Sequence, residues 1–162
     1  MRRSIQGFSL LELIMACAIV GIILSAGFVQ MNPSGTATRQ TAEVVAATIN
    51  RARFEAIRTN NTAGFEVVAG SGGGSGTVTV CRNVDETVAL NCSTGEIAES
   101  IDFSDDDLGR AVISQPTSLT VFFDRRGIVR NPGSNQTILI TDQTGGNQRT
   151  VTISPTGRTE VN

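Results

Sequence analysis

The chain contains no histidine, lysine, tryptophan or tyrosine among its 162 residues. Without histidine there is no Ser-His or Cys-His nucleophile system. Zinc has no ligand set either, because Cys81 and Cys92 have no third cysteine near them. Aspartate and glutamate pairs occur, but no spacing singles one out as an acid–base couple. No catalytic residue, cofactor or metal is therefore assigned, and the chain is read as a non-enzyme. The glycine-rich stretch Gly70–Gly76 leads into a β pattern, Thr77-Val78-Thr79-Val80, and not into a helix with a lysine. That rules it out as a phosphate loop. All 13 cations are arginine, against 15 acids, for a net charge of −2. Such a balance argues against a generally basic nucleic-acid binder.

The chain does have a long apolar run near its start. From Phe8 to Met31 only Ser9, Glu12, Ser25 and Gln30 are polar. As a helix this run is about 36 Å long, enough for a hydrocarbon core of about 30 Å. Glu12 lies one turn inside it. A carboxylate within a membrane helix costs roughly 2.5–3.5 kcal/mol at the centre and less near an end, so it calls for a functional partner. An ordinary secretory signal has a shorter apolar stretch with its cleavage site after it. Here the small residue at the polar-to-apolar boundary, Gly7, precedes the run. Cleavage there removes Met1–Gly7 and leaves Phe8 as the new N-terminus, with an amine one turn from Glu12.

The stretch Gly7-Phe8-Ser9-Leu10-Leu11-Glu12-Leu13 resembles the class III signal of type IV prepilins and type II secretion pseudopilins. The resemblance implies that a prepilin peptidase cuts between Gly7 and Phe8 and methylates the Phe8 amine. It also implies that Glu12 serves filament assembly by docking subunits. The expected organisation is a leader, 1–7, and a transmembrane and filament-core helix, 8–31. A helix break or kink follows at 32–35, where Pro33 removes an amide donor, and then a soluble domain, 36–162. The location implied is the bacterial inner membrane, single-pass with the domain outside the cytoplasm, and afterwards a pilus or pseudopilus. In that setting Cys81 and Cys92 are able to form a disulfide; two buried free thiols are the alternative. Cys17 lies within the apolar run as a packing residue.

Thr36–Asn60 has helical periodicity. Ala42, Val45, Ala46, Ile49, Ala52, Arg53, Ala56 and Ile57 follow i, i+3, i+4 spacing, apolar but for Arg53. Asn60-Asn61 is a stop signal. Strands are expected at 64–69, 77–81, 111–114, 119–123, 127–130, 137–141 and 149–154. Asp124–Gly127, Thr144–Asn147 and Pro155–Gly157 read as turns. This is an α+β chain in which the amphipathic helix packs on an antiparallel β-sheet.

Ala52-Arg53-Phe54-Glu55-Ala56-Ile57-Arg58-Thr59-Asn60, the cysteine pair, "FFDRRG" and "SPTGRTEV" are together similar to the GspH/FimT group of minor pilins and pseudopilins. The resemblance implies a minor pilin that joins or primes a type IV pilus and supports DNA uptake or twitching motility. Its partners would be other pilin or pseudopilin subunits. The alternative is a minor pseudopilin of a type II secretion system. A second alternative is a DNA-binding pilin of natural transformation. Some members of the group carry a C-terminal Gly-Arg-x-Arg motif; here Gly157-Arg158-Thr159-Glu160 replaces the second arginine with an acid.

Charge is unevenly spread. Arg82–Leu108 holds one arginine against eight acids, whereas Arg110–Asn162 holds six arginines against three acids. The acidic part reads as a solvated loop. Asp102, Asp105, Asp106 and Asp107 offer oxygens for calcium but lack the alternating spacing and distal glutamate of a calcium loop. Arg125, Arg126, Arg130, Arg149 and Arg158 are the candidate DNA contacts, provided that the strands bring them to one face.

Overall fold

The computed structural model describes residues 10–29, 33–70, 76–85, 87, 90–103, 111–130 and 134–162. The side chains of 23–29 and of 33 and 34 are not included. Met1–Pro33 and Ser34–Asn162 form two compact units.

The first unit contains helix α1, Leu10–Val29. Its side chains from Leu10 to Ile22 are exposed, with Leu10 at 76% and Ile22 at 69%. Glu12 lies in its first turn. No helix among the described residues is long and apolar enough to cross a membrane. The span expected at Phe8–Met31 extends past them at both ends.

Helix α2, Pro33–Thr59, starts on its proline. Proline suits a first helical position, because its missing amide hydrogen would have no partner there and its φ is preset. Pro33, Ser34 and Gly35, expected in a break, are thus the first residues of α2; Gln30–Asn32 lie outside the described residues. Ala42, Val45, Ile49, Ala52 and Ala56 are completely buried. They repeat at helical spacing, and their small side chains let the helix lie close to a sheet. Ile57, expected in the same stripe, is instead 44% exposed. The helix ends at Asn60, whose φ of 51° is left-handed. Asn61 N–H donates to the Ala56 carbonyl at 3.2 Å, so the last turn closes on an asparagine cap.

Among the described residues eight strands follow, in two antiparallel sheets, and with α2 they make the expected α+β layout. In chain order they are β1 Ala63–Ala69, β2 Gly76–Arg82, β3 Glu96–Asp102, β4 Ala111–Gln115, β5 Ser118–Phe123, β6 Gln136–Asp142, β7 Gln148–Ile153 and β8 Thr159–Val161. The first sheet runs β3-β2-β1-β5 and the second β4-β6-β7-β8. Inward side chains alternate along the strands: Ala63, Phe65 and Val67 on β1, and Ile138 and Ile140 on β6. They form one core with the α2 stripe. The Phe65 and Phe123 rings lie 6.2 Å apart within it.

Three expectations change. The acidic stretch read as a loop contains β3, an edge strand whose Glu96 and Glu99 pair with Arg82 and Arg51 at 3.0 Å each. Charged side chains on an edge strand discourage pairing with a foreign strand. The strand expected at 127–130 is a turn with a single bridge, Phe123 to Val129. There the Asp124 carboxylate accepts from Arg126 and Ile128 N–H, which bends the chain out of the ladder. After the turn at Gly157, where no strand was expected, the chain forms β8.

Candidate functional site

Gly7 and Phe8 lie outside the described residues, as do Asp105, Asp106 and Asp107. Asp102 is the last residue of β3. Among the described residues no group of three or more His, Cys, Asp or Glu is placed to hold a metal.

Cys81 and Cys92 form a disulfide, with Cα atoms 5.3 Å apart. It joins the end of β2 to a short 3-10 turn, Cys92–Thr94, capped by the Asn91 side chain at Thr94 N–H. The bond lies in a small apolar cluster with Val84 and Phe122. The free alternative for these thiols is thereby set aside. A bulge between Val80 and Cys81 redirects β2 at this point.

The five candidate arginines do not share one face. Arg125, Arg126 and Arg130 line a groove of about 470 Å³ with Asp124, Asn60, Asn61 and Thr62. The turn that follows β5 thus meets the C-terminus of α2. The Asp124 carboxylate accepts backbone N–H groups of its own turn. Arg125 and Arg126 are exposed, while Arg130 is half-buried and reaches Thr62 Oγ1 at 3.4 Å. Arg149 lies elsewhere, in a shallow depression with Arg39, Glu43, Val161 and Asn162. Arg158 is on the 154–158 turn and pairs with Glu160 at 3.1 Å. The acid that replaces a second arginine therefore engages the first.

Sequence reasoning passed over Arg53 as a stripe irregularity. Its Nη1 donates to the Gly157 carbonyl at 3.3 Å. Its Nε is buried and has no hydrogen-bond partner among the described residues. Gly127 and Gly157 close over it, both left-handed, at φ +76° and +80°. A Cβ on Gly127 would lie 2.9 Å from Arg53 Nε, and one on Gly157 would lie 2.5 Å from the Gly127 carbonyl oxygen. One arginine of the helix thus packs against both turn glycines. The signal was available as a cation inside an apolar stripe and two turn glycines, but nothing in the sequence linked them.

Among the described residues, local donors hold the carboxyls of Asp85 and Asp142 below the ordinary carboxylate range. Asp85 is lowered chiefly by the Thr87 hydroxyl, 2.6 Å away, and by Thr87 N–H. Asp142 is lowered chiefly by the Asn147 amide at 2.7 Å, with Thr144 and the N–H groups of Gly146 and Asn147 adding to it against the effect of burial. It is 4% exposed and closes the β6–β7 turn. All its partners are local donors that hold this loop.

A family model for type II transport protein GspH matches residues 41–157. The chain belongs to that family. The matched stretch of this GspH-family chain covers most of α2, the disulfide, the arginine groove and the Arg53 lock. The prokaryotic N-terminal methylation motif matches residues 2–28, which contain Gly7, Phe8 and Glu12. Pilin-like protein PilA1 of Thermus thermophilus is 30% identical over an aligned length of 160, with 96% of this chain and 97% of that one covered. The type IV minor pilin FimU of Pseudomonas aeruginosa shares the fold in two crystal forms. The TM-scores are 0.54 and 0.56 at 17% identity, covering 76% of this chain and 91% and 87% of those. The GspH-family chain is thus a pilin-like protein of the minor pilin and pseudopilin group.

Proposed function

We propose that the chain is a non-catalytic minor pilin, incorporated into or priming a type IV pilus. One observation carries the reading: α1, which the matched methylation motif covers up to residue 28, exposes all its described side chains, and these are apolar except for Glu12. A helix that is apolar all round has to be covered by lipid or by other helices. In this reading the inner membrane covers it first and neighbouring pilin subunits cover it later. Prepilin peptidase cuts between Gly7 and Phe8, and Phe8 receives the methyl group. Glu12 then meets the Phe8 amine of an adjacent subunit. In the low-dielectric filament core, removing one partner leaves the other charge uncompensated, which is the costly case.

Glu12→Val tests this. The variant should insert, be processed and fold, yet fall at least tenfold in sheared filament fractions relative to total membrane protein. Normal incorporation would refute the docking role of Glu12. Gly7→Leu should leave Met1–Gly7 attached, as read by intact mass.

The family description favours a second reading, a minor pseudopilin of a type II secretion system. Deletion of the gene separates the two: loss of twitching supports the pilus, and loss of exoprotein secretion supports the pseudopilus. A DNA-binding role in natural transformation has support from Arg125, Arg126 and Arg130, which share one groove. The Arg158–Glu160 pair and the separate position of Arg149 weigh against it. Each phosphate contact steepens the salt dependence of binding. A gel shift of the purified protein over a salt series, repeated with Arg125→Ala/Arg126→Ala, decides it.

A further inference from the structure

Five of the described arginines, Arg39, Arg51, Arg58, Arg82 and Arg158, each pair with a glutamate, at 2.6 to 3.1 Å. Arg125 and Arg126 differ. Both are exposed, and their guanidinium groups have no hydrogen-bond or ion-pair partner among the described residues. They line one groove with Arg130, and its volume is about 470 Å³. Clefts that hold small ligands measure about 300–1,000 Å³. Cations gathered without a paired acid favour an incoming anion, and guanidinium groups grip an oxyanion through paired N–H donors.

The rest of the lining narrows the choice of anion. Asp124 uses Oδ1 for both bonds to its own turn, at 2.8 and 3.0 Å, and its Oδ2 accepts no hydrogen bond among the described residues. Asn60, at the left-handed end of α2, leaves its side-chain amide without a hydrogen bond among them as well. The groove therefore offers acceptors beside its cations. Sulfate and the phosphodiester of DNA bring acceptors only, so they leave Asn60 and Asp124 oxygens unused. No aromatic residue lines the groove, so a nucleobase finds nothing to stack on. A ligand with an anionic group and hydroxyl donors on one small ring uses both kinds of lining group. We propose that this groove binds an acidic saccharide, a uronic-acid unit of a polyanionic glycan. Its carboxylate meets Arg125 and Arg126, and its ring hydroxyls donate to Asn60 and Asp124.

The test titrates the full chain, purified in a neutral detergent, with trigalacturonate and follows the heat of binding. A neutral galactose trimer, inorganic sulfate and a short DNA duplex are the comparison ligands, at low and at physiological salt. Trigalacturonate should bind at least tenfold more tightly than each of them. Arg125→Ala/Arg126→Ala should weaken it at least tenfold with an unchanged thermal midpoint. Asn60→Gly keeps the left-handed turn, because glycine adopts that φ freely, and removes only the amide. It should weaken trigalacturonate about threefold and leave sulfate unchanged. Equal binding of sulfate shows a site for any anion and overturns the proposal. Equal or tighter binding of the duplex assigns the groove to nucleic acid and overturns it too, as does the absence of trigalacturonate binding. None of these outcomes bears on the filament reading, which Glu12→Val tests separately.

Discussion

The two helices make opposite use of apolar residues. In α1 they face outward in the isolated chain, with eight large side chains between Leu10 and Ile22 more than half exposed. In α2 they form a narrow stripe, Ala42 to Ala56, and the two sheets cover that stripe completely. The second helix has its partner within the chain, whereas the first must find one outside it. Hydrophobic burial is non-directional and scales with area, so apolar content alone does not reveal which partner a helix has. The pattern around the helix does. An amphipathic stripe points to an internal core, and an all-round apolar surface points to an external one.

The sharpest way to break this comparison is to change one residue in each helix. Glu12→Val should abolish assembly and leave the unfolding of the second unit unchanged. Ile49→Ala should do the reverse. Ile49 is fully buried, and truncating such a side chain costs about 2–5 kcal/mol. Urea unfolding of the detergent-solubilised full chain should show that loss. If Glu12→Val destabilised the folded unit as much as Ile49→Ala, the division of roles would be wrong.

Smaller changes should affect the α2 unit only. Cys81→Ser removes a cross-link over a short loop, worth about 2–4 kcal/mol. The loss should appear in the oxidised protein and vanish when both proteins are compared under reductant. Gly127→Ala forces an alanine to φ +76° against Arg53. A strained left-handed residue costs about 1–3 kcal/mol, and the added Arg53 clash should place this variant at the upper end. Gly145→Ala, at φ +74° with nothing within 4 Å of its Cβ, isolates the backbone part of that cost.

The smallest effect is a pH dependence. Folding lowers the Asp142 pKa below its ordinary value of 3.8. Its stabilisation is present above that value, because the unfolded chain binds the extra proton in acid. It is lost as pH falls through the lower folded value. Asp142→Asn should flatten the stability profile below pH 3.8, and midpoints measured on either side of that value will show it. No change in α1-dependent assembly should accompany it.

Where periodicity was strong, the sequence was legible. The α2 stripe, the β1–β2 pair and the cysteine pair could be read because apolar spacing and residue chemistry are local signals. What was missed depends on distance along the chain. β3 was hidden because Glu96, Glu99 and Asp102 sit on an edge strand, where charge replaces the usual alternation. β8 is three residues long, too short for any period to register. The division into two sheets is decided by β5 crossing back to pair with β1, a contact no window along the sequence contains. Of the candidate site, Arg125, Arg126 and Arg130 lie close together in the chain and came together. Arg149 and Arg158 sit on later elements and did not join them. The Arg53 contact with Gly157 spans 104 positions.

The Arg53 lock bears on how such a surface changes over generations. Gly127, Gly157 and Arg53 lie in close contact, so a larger side chain at either glycine crowds the other two. The side chains at 125, 126 and 158 are exposed on the turns that carry these glycines. Mutation is therefore free to alter the charge displayed at this end of the domain, one residue at a time, while the loops that display it keep their shape. A lineage could drift from gripping one partner to gripping another without passing through an unfolded ancestor.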